Sequence, residues 1–141
     1  MTKIIECFSI VLAILLIGFI IYSIFFQVKE NMKQNDPVLK ELVEMIQPLH
    51  PIVKDIEFYE DNRSYTINKE KVYMCLKDKE GNYYPKNHLV YVISHEISHV
   101  LCPEIGHTDL FNEIFQDLLA KATELGIYNP SIPMIQDYCN Y

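Results

Sequence analysis

The sequence predicts an α+β chain: one N-terminal transmembrane helix, then a small domain in which a short sheet precedes two helices. Three observations predict it. Residues 4–26 (IIECFSIVLAILLIGFIIYSIFF) form an almost uncharged apolar run. Residues 52–76 read as short β segments bounded by turn residues. From residue 87 onward apolar residues recur at helical spacing, with one break at Pro103.

The apolar run exceeds the ~20 residues that cross a hydrocarbon core. Its single charge, Glu6, lies near the end, within reach of headgroups. It is longer than the apolar core of a signal peptide and lacks a small-x-small cleavage site, because Phe25, Phe26, Gln27 and Val28 follow it. Residues 1–27 therefore read as a single-pass anchor, 28–36 as a polar linker and 37–141 as the folded domain. Lys29, Lys33 and Lys40 follow the run, whereas Lys3 precedes it, so the positive-inside count places the domain on the cytoplasmic side. An Asn62-Arg63-Ser64 sequon would matter only on the lumenal side.

Asp36 and Pro37 suit the N-cap and first position of a helix carrying Leu39, Leu42, Val43 and Ile46 on one face, ended by Pro48 and Pro51. Strand candidates are 52–59, 65–67 and, best, Val72 to Leu76, with a turn at Gly81-Asn82. Leu89, Ile93, Ile97 and Leu101 mark the next helix. A second begins near Thr108, with Phe111, Ile114, Phe115, Leu118, Ala122 and Leu125 on one face and Gly126 as its stop. The proline-containing tail from Asn129 is expected to be extended.

Composition excludes some functions. The 141-residue chain has a net charge of −7, and residues 1–27 contribute one charge of each sign, so the acidity belongs to the rest. With one arginine, Arg63, and no basic stripe, it is no partner for nucleic acid. The four cysteines form no C-x-x-C pair and read as buried or free thiols, which favours a reducing compartment.

The chemistry concentrates in His95-Glu96-Ile97-Ser98-His99. On a helix, residues four apart are about 6 Å apart along the axis and about 40° around it, so both imidazoles leave one face and can share an ion. Glu96 is turned about 100° away and reaches a water on that ion rather than the ion itself. A zinc with three protein ligands and one open position polarises a carbonyl, and the adjacent carboxylate acts as general base. His107, after the Pro103 break and beside Gly106, is the preferred third ligand; Glu104, Asp109 and Glu113 are the alternatives. Phe111, one turn on, can wedge between the helices and fix His107. His88 and His50 read as a helix-start and a loop residue. Tyr128 and Tyr138 are candidate oxyanion donors.

The stretch HEISHVLCPEIGHTDLF resembles small zinc metallopeptidases of the WLM, SprT-like and YgjP-like kind, over roughly residues 64–126. These share the H-E-x-x-H, a third histidine and an aromatic shortly after it. The resemblance implies a zincin-like domain of the minimal gluzincin type, with zinc on His95, His99 and His107 and Glu96 catalytic. Seven residues separate His99 from His107, more than in WLM members and fewer than is usual in SprT-like ones. The resemblance also implies that an edge strand beside the active-site helix binds a protein or peptide substrate by strand addition; Val72 and Met74 are the candidates. The rival expectation is a membrane-tethered binding or scaffold protein whose zinc is structural or vestigial, closed by a fourth ligand such as Cys102.

Overall fold

The computed structural model describes residues 1–139 and divides the chain into two compact units, Met1–Lys33 and Gln34–Tyr141. Residues 140 and 141, the end of the expected extended tail, lie outside the described residues. The first unit is made by helix α1, Thr2–Gln34. Apolar side chains such as Phe8, Leu15 and Phe19 are exposed along it, and it is long and apolar enough to cross a membrane. The expected linker is helical instead, through Gln34. Val28 to Gln34 contains no Gly or Pro, and Lys, Glu, Met and Gln are good helix formers.

The second unit is α+β with a three-stranded sheet. Helix α2 (Pro37–Ile46) starts where Asp36 accepts hydrogen bonds from the Val38 and Leu39 amides, at 2.9 and 3.2 Å. Such a cap contributes about 1 kcal/mol. Leu39, Leu42 and Ile46 enter the core. Two 3-10 turns follow, Gln47–Leu49 and Pro51–Asp55. The second occupies the start of the expected strand 52–59, because Pro51 fixes its first turn and His50 Nδ1 accepts from the Ile52 amide.

The strands are β1 (Glu57–Glu60), β2 (Tyr65–Ile67) and β3 (Lys71–Met74), in spatial order β1-β3-β2. β1 runs parallel and β2 antiparallel to β3. Side chains alternate faces along a strand. Tyr59, Tyr73 and Tyr65 are register partners and stack across one face, with ring centroids 5.0 and 4.6 Å apart. Phe58, Val72 and Thr66 are the partners on the other face, on which Thr66 meets the H-E-x-x-H helix. The β2–β3 turn places Asn68 and Lys69 at φ 51° and 58°, the left-handed pair of a tight hairpin.

Helix α3, Lys86–Leu101, carries the H-E-x-x-H and buries Leu89, Ile93 and Ile97 completely. It ends at Cys102, whose carbonyl accepts a hydrogen bond from the Lys69 ammonium, a cation placed at a helix C-terminus. Helix α4, Asp109–Glu124, starts at Thr108, whose hydroxyl accepts from the Phe111 amide at 3.3 Å, and packs against α3. Gly126, at φ 71°, turns the chain out of it.

The tail forms turns rather than an extended strand and runs back past the start of α3. Asn129 and Asn87 exchange hydrogen bonds, the Ile135 amide donates to His88 Nδ1 at 3.3 Å, and the Cys139 amide donates to the Tyr84 hydroxyl at 3.1 Å. A disulfide joins Cys75 to Cys139. This corrects the free-thiol expectation for two of the four cysteines and removes the argument for a reducing compartment. Cys7 and Cys102 are free.

Candidate metal centre

Helix α3 brings His95 and His99 to one face, with ring centroids 4.9 Å apart. The loop after Cys102 turns at Gly106, φ 86°, and returns His107 to the same place immediately before the α4 cap. The candidate ligand atoms of His95, His99 and His107 all lie within 4.8 Å of one another. His107 Nε2 approaches His95 Nε2 to 3.0 Å. Ligands on a tetrahedral zinc, each about 2.0–2.1 Å from it, stand about 3.3 Å apart, so this spacing fits an ion between them. Among the alternatives, Glu104 lines the cleft near the three rings. Among the described residues neither it, Asp109 nor Glu113 joins the cluster.

Aromatic packing holds the rings. Phe111, almost fully buried, has its centroid 5.0, 4.4 and 4.8 Å from those of His95, His99 and His107. Phe115 adds an edge-on contact to His95 at 5.3 Å. Burial, with the neighbouring His99 and His107, pushes the His95 pKa down to about 4. His99 is also lowered, by burial and then by His107 and Lys69. Both rings are therefore neutral at pH 7 and offer lone pairs to a metal.

Glu96 is buried, at 6% exposure. Burial pushes its carboxyl pKa up, opposed by the Thr66 hydroxyl, which donates to Oε2 at 2.8 Å. Glu96 and His95 are shared by two adjoining lobes of an open cleft. Arg63, Tyr91, Val92 and Tyr138 line one lobe; Thr66, Lys69, His99 and His107 line the other. Cys102 is fully buried among Phe111, Phe115 and Leu119 and does not join the three histidines. A fourth protein ligand is thus missing from the described cluster, and that side faces the cleft.

Several expected roles move. Val72 and Met74 do not lie on the expected edge strand: β3 is the central strand and both side chains are completely buried. The edge strand beside α3 is β2. Tyr138 reaches the cleft, but its hydroxyl donates to the Cys75 carbonyl at 2.5 Å and contacts Ser64 Oγ at 2.6 Å. Ser64 Oγ in turn accepts from the Cys75 amide. This closed ring leaves Tyr138 as wall rather than donor. Tyr128 is half-buried against Tyr91 and the apolar clusters, outside the cleft lining. His88 is buried against Tyr84 and Tyr138 and holds the tail; His50 caps a turn. Sequence reading missed Thr66, for which no motif exists, and Tyr91, which its spacing of four before His95 could have flagged.

No family model and no solved structure matches the chain. It is 45% identical over 91 residues to Uncharacterized protein 136R of Invertebrate iridescent virus 6, covering 62% of this chain and 51% of that protein. It is 42% identical over 102 residues to Uncharacterized protein 042R of Invertebrate iridescent virus 3, covering 70% and 64%. Uncharacterized protein R325 of Acanthamoeba polyphaga mimivirus is 33% identical over 106 residues, covering 70% and 54%. The chain thus spans between about half and two thirds of the length of these viral relatives, to which it is similar.

Proposed function

We propose that this is a membrane-anchored zinc peptidase of the minimal gluzincin kind, with His95, His99 and His107 as ligands and Glu96 as general base. One observation carries the reading: three imidazoles converge on a point with an open side, and a buried carboxylate stands beside them in the same cleft. A structural site needs no base and no open side.

A zinc ion held there would act as a Lewis acid, polarising the scissile carbonyl and acidifying a water. The chain's own groups do the rest. Glu96 takes the proton of the attacking water and hands it to the leaving amine, and burial, which raises its pKa above the ordinary carboxylate value, makes it a better proton acceptor. β2, an edge strand next to α3, is placed to accept an extended peptide by main-chain hydrogen bonds. Phe111 and Phe115 keep the ligand rings in place.

The test is paired, on the full-length chain in detergent micelles. Zinc bound per chain is measured, and cleavage of unstructured peptides is compared between wild type and Glu96→Gln. The reading expects one zinc in both and a loss of about 100- to 10,000-fold in kcat for the variant. His107→Ala should weaken zinc binding. A wild-type chain without zinc ends the proposal. A zinc-loaded chain that cleaves nothing leaves a tethered binding protein.

A further inference from the structure

We propose that Thr66 is a positioning residue that couples the general base to the substrate strand, so that a longer bound peptide raises turnover more than affinity. The inference rests on the peptidase reading above and goes beyond it, because it says how substrate length is read.

Three observations converge. Thr66 is the middle residue of β2, the three-residue edge strand. Its register partner is Val72, so alternation turns its side chain to the face that meets α3. Its hydroxyl lies 2.8 Å from Glu96 Oε2 and 3.2 Å from the Glu96 carbonyl oxygen. A hydroxyl has one proton to donate, and the shorter, charge-assisted contact to the carboxylate takes it. Among the described residues Glu96 Oε1 has no hydrogen-bond partner, and it is not sealed from solvent. Oε2 is therefore the held oxygen and Oε1 the working one.

A glutamate has three rotatable side-chain bonds, and nothing else in the site ties down its carboxylate. The position of Oε1 thus follows the position of the Thr66 hydroxyl. That hydroxyl rides on a strand with a neighbour on one side only, whose last residue, Ile67, and the turn residues Asn68 and Lys69 after it are exposed. Short edge segments with few buried contacts are the first to open. A peptide that pairs with β2 gives it a second neighbour and steadies Thr66. Part of the binding energy of remote residues then serves to align the base, and appears in kcat rather than KM.

The experiment uses the full-length zinc-loaded chain and a series of peptides sharing one scissile bond, lengthened one residue at a time. Wild-type kcat should climb with length, by about tenfold across the series, with KM changing much less. Thr66→Val removes the hydroxyl but keeps β-branching and size. Its kcat should fall about 10- to 100-fold on the longest peptide and be nearly flat with length. Zinc content and thermal midpoint should match wild type, and Thr66→Ser should restore both rate and slope. A Thr66→Val enzyme with wild-type kcat and slope overturns the inference alone. So does one reduced by the same factor at every length and not rescued by serine, which is the signature of a merely structural residue. A wild-type chain that hydrolyses none of the peptides overturns the peptidase reading, and this inference with it.

Discussion

His88 and His95 stand two turns apart on α3, yet they do different work. His95 converges with two other imidazoles; His88 is closed in by Tyr84 and Tyr138 and accepts the Ile135 amide. Burial lowers the pKa of both below the usual histidine value of 6.5. Below that value the unfolded chain binds more protons than the folded one, so their contribution is fully present above pH 6.5 and is lost as pH falls through the lowered values. Zinc-free protein should therefore have a lower thermal midpoint at pH 5 than at pH 7. His88→Gln, which keeps an acceptor near Ile135 but does not titrate, should show a smaller drop. Identical drops would remove His88 from the acid response. At this scale the convergence of His95, His99 and His107 was legible, because a shared metal site would need imidazoles one helical turn apart and a third returned by the turn that follows. Thr66 was not, because its role comes from strand register and from a helix 30 residues away.

Among the elements, α3 and α4 were legible to within a residue or two, because each buries one apolar stripe and has a recognisable end: Pro103 for α3, Thr108 and Gly126 for α4. The sheet was legible as strands but not as an order. Val72 to Leu76 gave the strongest β signal because β3 is the central strand, with apolar Val72 and Met74 buried beneath α3. An edge strand gives a weaker signal, since one side meets solvent; Tyr65–Ile67 is only three residues long. The clearest strand was thus the central one and not the edge. The α4 start offers a test of how elements position the site. Thr108 caps the helix directly after His107, so Thr108→Ala should cost about 1 kcal/mol of stability. It should also weaken zinc binding several-fold by loosening the third ligand, with Thr108→Ser restoring both. Unchanged zinc affinity at reduced stability would show that Phe111, not the cap, holds His107.

At the scale of the molecule, the second unit is small, and its closure is covalent. The bond between Cys75 and Cys139 spans 64 positions, ties the tail to the end of β3 and brings Tyr138 and Cys139 to the cleft wall. Two cysteines so far apart carry no spacing signal, which is why this link was invisible in the sequence. In the chain-entropy view, closing a loop of that size destabilises the unfolded chain by about 4 kcal/mol, a large share of what a small domain has. The bond also bears on orientation. The lysines after α1 favour the cytoplasmic side, but they outnumber those before it by only a few, whereas a structural disulfide persists where the surroundings are oxidising. We therefore expect the folded unit to mature on an oxidising side of its membrane. Denatured without reductant, the full-length chain should take up two alkylating groups, at Cys7 and Cys102, and four after reduction. Cys139→Ser should lower the unfolding free energy by up to about 4 kcal/mol. Zinc should still bind, because none of the three ligands lies on the tail. Four alkyl groups before reduction would return the domain to a reducing compartment and leave the cleft wall to the Tyr138 hydrogen-bond ring alone.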